Sequence, residues 1–329
     1  MTEVNAFQYK SRRGGLIFFG LVELAVGVLC FLFVALMTAG FFFASSKTPA
    51  LPARQMIPSV LLYFIGGALL ATLGIGSMMA RRWARDLSLV VAWFWLIVGG
   101  STTLTMIFMV PRLMPTMPQG QEGVHAAVMT CMAVFAGLFG VLVPAAMILF
   151  YRSPHVRATT LALDPHPRWT ERVPLPLLGL SLWQLLGAVS IASMSGYAVL
   201  PLGSQMLTGP LAILVYCAIG ALLLYVSWGL YMRSLAAWWT GIAYGVLLAI
   251  YAVVVFPRIN YEQLVEAMGM PKTPGMPDLV GIYRSPWFLG FLGFFWLVYF
   301  AWFFFVRRYF PRETAVSPGA GPAGSPSGS

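Results

Sequence analysis

The chain has 329 residues, of which 59% are hydrophobic and 9% charged, with a mean hydropathy of +0.82. Soluble domains carry about a quarter of their residues as charges, so a soluble globular protein is excluded and an integral membrane protein is implied. The net charge of +10 does not argue for nucleic acid, because the basic residues cluster at the ends of apolar runs and not along one face or tail.

Lys10, Arg12 and Arg13 precede an apolar run from Leu16 to about Phe43, too long for the core of a cleaved signal peptide and therefore a first transmembrane helix. Crossing roughly 30 Å of hydrocarbon takes about 20 mainly apolar residues. By that measure seven more spans follow, at about Pro58–Ala80, Leu87–Val110, Val124–Phe150, Leu175–Leu200, Gly209–Met232, Leu235–Phe256 and Pro286–Val306. None shows the short alternation of barrel strands, and in lipid the backbone of such runs is satisfied by helix. The fold class expected is an all-α integral membrane protein with eight transmembrane helices.

Charge orients the spans. Connections on the side of the N-terminus hold fourteen Lys and Arg, against six on the opposite side, which places both termini in the cytoplasm. Arginine outnumbers lysine 17 to 3, a hint of a GC-rich bacterial genome, so the membrane expected is the bacterial cytoplasmic one. "GSMMARRWARDLSLVV" (residues 76–91) puts Arg81, Arg82 and Arg85 at one inner hairpin, where they serve as topological anchors and candidate contacts for anionic lipid.

A second order lies beneath the first. "VPR" (110–112) after the third span matches "FPR" (256–258) after the seventh. "MARRWAR" matches "YMRSLAA", setting Arg81 opposite Arg233 and Ala84 opposite Ala236, and "FYR" (150–152) matches "FVR" (305–307). The near-constant spacing indicates tandem duplication of a four-helix unit, and an even span count gives both copies one orientation. The expected layout is a cytoplasmic N-terminus (1–15), a first repeat (16–151), a polar, proline-rich linker (152–174), a second repeat (175–307) and a disordered cytoplasmic tail (308–329). Within the outer loop 257–285, "NYEQLVEAMG" reads as a short amphipathic helix capped by Asn260 and ended by Gly269.

Few residues suggest chemistry. Glu23 is the carboxylate lying well inside an apolar run, where a charge costs about 2.5–3.5 kcal/mol on insertion scales, so it is a site candidate by default. Gln184 stands at a similar depth in the second repeat, and the two are expected to face each other across the repeat interface, or else Glu23 pairs with Arg82 or Arg85. Asp86 follows Arg85 at a helix end as a local counter-ion. Met114, Met117, Met268, Met270 and Met276, with His125 nearby, offer soft thioether ligands for Cu(I) on the outer face. Methionine also serves as a flexible packing residue. Cys30, Cys131 and Cys217 lack paired spacing and read as packing residues, and no resident cofactor is indicated.

There is no HExxH, Walker loop, GxSxG or intramembrane Asp pair, so an enzyme is not expected. Two readings of different class remain: a small-solute or ion transporter using the interface between repeats, and a non-catalytic scaffold or accessory subunit. The second would bind anionic lipid, a protein partner or another copy of itself. Cu(I) capture is a third.

Overall fold

A computed structural model describes residues 10–43, 53–113, 122–269 and 286–310. The first three spans are α1 (Arg13–Phe43), α2 (Ala53–Met78) and α3 (Arg82–Leu113). The fourth is built from α4 (Glu122–Gly137), a π-helical turn (Leu138–Leu142) and α5 (Val143–Arg152). After α6 (Pro154–Leu163) and a 3-10 turn (Trp169–Glu171) come α7 (Leu175–Met194), a hairpin of β1 (Val199–Leu202) and β2 (Gln205–Thr208), α8 (Pro210–Tyr231), α9 (Leu235–Val255), α10 (Tyr261–Ala267) and α11 (Pro286–Val306). Among the described residues eight helical spans are long and apolar enough to cross a membrane. Their apolar surface is largely left open, with Phe42 and Leu149 each 75% exposed, and hydrocarbon is the medium that covers helices apolar all round. The protein is therefore a predominantly helical, multi-pass membrane protein.

Within each set of four, consecutive helices pack as neighbours. α1 lies along α2 through Gly20 and Gly27 on one side and Gly67, Ala71 and Gly74 on the other; a Cβ on Gly74 would stand 2.5 Å from the Gly20 carbonyl. Without small residues here the backbones would be forced apart. α7 lies along α8 with more room, the nearest atom to a Cβ on Gly220 being the Ala188 carbonyl at 3.7 Å. The small residues of the fourth span divide: Gly140 abuts Gly99 of α3, whereas Gly137 meets only Thr103, at 3.9 Å. Pro144 has no N–H to give to the turn before it, and the helix widens into its π turn immediately upstream.

The hairpins α2–α3 and α8–α9 are closed by one backbone pattern. In the first, Arg81 N–H bonds Gly76 O at 2.9 Å and Ala80 N–H bonds Ser77 O at 2.9 Å, with Ala80 at φ 52°. In the second, Ser234 N–H bonds Gly229 O at 2.7 Å and Arg233 N–H bonds Leu230 O at 3.0 Å, with Arg233 at φ 58°. Both are Schellman closures with a non-glycine residue in the left-handed position. They pair Ala80 with Arg233 and Ala84 with Ala237, one residue along from the match read in the letters.

Two segments differ from expectation, and a third, α10, is found as expected. The linker 152–174 is folded, because Pro154 starts α6 in the first-turn position that suits proline and Asp164 and Glu171 then bind back to α3. The fifth span stops at Met194, short of Leu200, and the chain pairs Val199 with Thr208 through Leu202 with Gln205 across Gly203 and Ser204. Gly203 takes φ +80°, which explains a glycine in this two-residue loop. Tyr216 and Tyr251 donate to Val199 O (2.8 Å) and Pro201 O (2.6 Å), fixing the hairpin over the start of α8 and the end of α9. In α10, Asn260 caps the first turn, Gly269 at φ +70° follows the helix, and Leu264 packs with Ile259 against Val199. The N-terminal nine residues, the loop 270–285 and the tail from 311 lie outside the described residues.

The dense core lies toward the arginine-bearing side. Leu16, Ala80, Leu89, Ala92, Met147 and Tyr151 form one cluster within the first four spans. A larger one joins Leu73 and Leu87 of the first set to Leu177, Leu180, Leu230, Trp238, Phe303 and Val306 of the second, holding the two sets together.

Candidate functional site

In the first four-helix set, one polar side chain from each span meets in the core. Glu23 of α1, Ser77 of α2 and Ser88 of α3 are fully buried, as is Tyr151 of α5. Tyr151 OH donates to Ser77 Oγ at 3.0 Å, and Ser77 Oγ donates to Glu23 Oε2 at 3.2 Å. Ser88 Oγ stands 3.4 Å from Ser77 Oγ, and Tyr151 OH also approaches Glu23 Oε1 at 3.4 Å. The chain Tyr151 to Ser77 to Glu23 satisfies a carboxyl in an apolar interior with hydroxyls, the compensation that burial of a polar group demands. Among the described contacts no basic side chain bonds Glu23. The pairing with Arg82 or Arg85 expected from sequence is replaced, since those two arginines are held elsewhere.

The second set solves the same problem without charge. Gln184 of α7 donates from Nε2 to Tyr299 OH at 3.3 Å, and Tyr299 OH donates to Gly241 O of α9 at 3.3 Å. Ser181 and Ser227 join α7 to α8 by reciprocal bonds to each other's carbonyls, at 2.7 and 2.8 Å. In the hairpin register, Ser88 corresponds to Gly241, so a hydroxyl in one set stands where a glycine stands in the other. A Cβ on Gly241 would sit 2.6 Å from the Phe303 ring. Glu23 and Gln184 are thus not brought together: each bonds within its own four helices.

The arginine-bearing face holds a 460 Å³ cavity lined by Arg82, Arg85, Asp86, Arg157, Thr170 and Glu171, among others. Arg82 grips Glu171 through two bonds, at 2.6 and 2.5 Å, and reaches Pro165 O at 3.1 Å. Arg85 bonds Asp86 at 2.8 Å and Tyr151 O at 3.2 Å, and Thr170 donates to the other Asp86 oxygen at 3.2 Å. Asp164 accepts from Arg168 (3.0 Å) and from the Arg82 backbone N–H (3.3 Å). The Arg168 hydrogen bond, helped by that N–H, holds the Asp164 carboxyl below the usual carboxylate range. Of the three anchor arginines, Arg82 therefore clamps the linker, Arg85 braces Asp86 and the end of α5, and Arg81 is seen only as a positive charge beside Asp164. Sequence reasoning gave this clamp no role for lack of a signal linking Arg82 to a glutamate 89 residues away.

Of the candidate thioethers, Met114, Met117, Met270 and Met276 lie outside the described residues, as does the His125 side chain. Met268 packs against the Val199, Ile259 and Leu264 cluster. Among the described residues no group of three His, Cys, Asp or Glu is placed to hold a metal ion. Cys30 is half-buried, but Cys131 and Cys217 are exposed on helix surfaces, so only the first packs inside. No protein-family model, curated protein or solved structure matches the chain.

Proposed function

We propose that this is a non-catalytic scaffold or accessory subunit of the bacterial cytoplasmic membrane, made of two tandem four-helix repeats with both termini inside. The observation carrying this reading is the separation of the two intramembrane polar groups. Glu23 bonds Ser77 and Tyr151 in one repeat, and Gln184 bonds Tyr299 in the other, so each group ties its own bundle together. A carrier working at the repeat interface needs them on a shared wet path. The duplication is supported by the common Schellman closures and by a stripe of small residues on the third helix of each repeat. Ala84, Ser88 and Ala92 in α3 correspond at constant spacing to Ala237, Gly241 and Gly245 in α9, and all six are buried. The inward-folded linker, tied down by Arg82 on Glu171 and by Thr170 on Asp86, presents a formed cytoplasmic surface to a partner.

The test is thiol accessibility at positions 23 and 184 in a cysteine-free background in native membranes, with loop cysteines as reactive controls. The scaffold reading expects neither position to react with small membrane-impermeant reagents. Labelling at both, protected by an added solute, would overturn it in favour of a transporter.

A further inference from the structure

Between the repeats runs a second cavity of different character. A groove of 530 Å³ is lined by Val90, Trp93, Phe94 and Ile97 of α3, by the start of α7, and by Val298, Trp302 and Phe305 of α11. Its walls are aromatic and aliphatic, with Trp302 against Gly179, where a Cβ would stand 3.1 Å from the indole. Among the described residues the one charged side chain lining it is Arg152, exposed at the inner end of α5 and making no ion pair or side-chain hydrogen bond with another described residue. Arg308 adds a second charge at the same end, its guanidinium 3.8 Å over the ring of Phe305. Leu175 forms a wall both of this groove and of the arginine-lined cavity.

The dimensions match one lipid leaflet. From Val90 to Ile97, and from Val298 to Phe305, the helix axis advances about 10 Å, within the ~15 Å that a leaflet contributes to the hydrocarbon core. A groove that is cationic at the membrane surface and apolar beneath it complements a phosphate headgroup with its acyl chain.

We infer that an anionic phospholipid of the inner leaflet is held between the repeats, its phosphate on Arg152 and Arg308 and one acyl chain along Phe94, Trp302 and Phe305. The inner leaflet rests on the orientation proposed above; the site itself does not, so reversed orientation in a topology reporter would leave lipid retention standing.

The experiment places the full-length protein in phosphatidylcholine nanodiscs containing a minor share of phosphatidylglycerol and counts retained lipids by native mass spectrometry. Phosphatidylglycerol should be retained over its share by about tenfold, and Arg152→Gln should reduce that preference roughly fivefold, the contribution of one basic residue at a membrane surface. Val298→Trp, which fills the groove, should remove the retained lipid of either headgroup. If that variant does not fold, Arg152→Gln, at an exposed position, reads the site alone. Retention of the two lipids in proportion to their supply, or an unchanged preference in Arg152→Gln, would overturn the inference.

Discussion

The two four-helix sets share a helix order and a hairpin closure, yet they are cemented differently. In the first, a carboxyl is surrounded by three hydroxyls, one from each of the other helices, and α1 and α2 touch backbone to backbone through glycine. In the second, an amide and a tyrosine do the work of the carboxyl cluster, serines cross-link α7 to α8, and the helix seam has room for methyl groups. The difference shows that one backbone arrangement is compatible with a charged-type and a neutral polar centre, provided the polar groups of the centre find partners. Where one set closes on glycine backbones, the other closes on side chains.

The largest effect expected from this contrast is at the helix seams. Gly74→Ala forces a methyl group onto the Gly20 carbonyl and should cost about 1–3 kcal/mol. Gly220→Ala, whose methyl group would meet its neighbours at ordinary van der Waals distance, should be neutral or stabilising by about 0.5–1 kcal/mol through the lower chain entropy of alanine. Reversible unfolding in mixed detergent micelles measures both, and equal losses would erase the distinction between the seams.

Next in size come the tyrosines. Tyr299→Phe strands the Gln184 amide in the core and should cost about 1–3 kcal/mol. Tyr151→Phe should cost less, about 0.5–1.5 kcal/mol, because Ser77 still reaches Glu23 and Ser88 remains beside it. The same unfolding assay ranks the pair, and a larger loss for Tyr151→Phe would mean the carboxyl depends on the phenol more than its hydroxyl neighbours indicate.

The smallest effect is at the linker. The folded-state pKa of Asp164 is lowered, so its contribution is complete above the ordinary Asp value near 3.9 and is lost as pH falls through the lower folded value. Proteolysis of the 153–174 segment should therefore quicken only on strong acidification. In Asp164→Asn this acid-dependent step should vanish, with cleavage at neutral pH already faster than in the parent protein.

Much of this architecture was legible in the letters. Eight apolar runs and arginines at their ends define spans because lipid leaves the backbone few alternatives, and Glu23 and Gln184 stand out by polarity alone. The partners of those residues were not legible. Ser77, Ser88 and Tyr151 are ordinary residues in membrane helices, and their convergence on Glu23 depends on helix rotation, which a uniformly apolar sequence does not encode as a periodic stripe. The β1–β2 hairpin was hidden for a related reason: "VLPLGSQMLT" is apolar enough to merge with the flanking spans, and only the Gly203–Ser204 pair marks its turn.

The central claim is that each polar centre belongs to its own four-helix set. Double-mutant cycles on unfolding free energy test it directly, one combining Glu23→Gln with Tyr151→Phe and the other combining Glu23→Gln with Gln184→Leu. The account predicts coupling of about 0.5–3 kcal/mol in the first cycle and additivity within about 0.5 kcal/mol in the second. Strong coupling between positions 23 and 184, with none between 23 and 151, would contradict it.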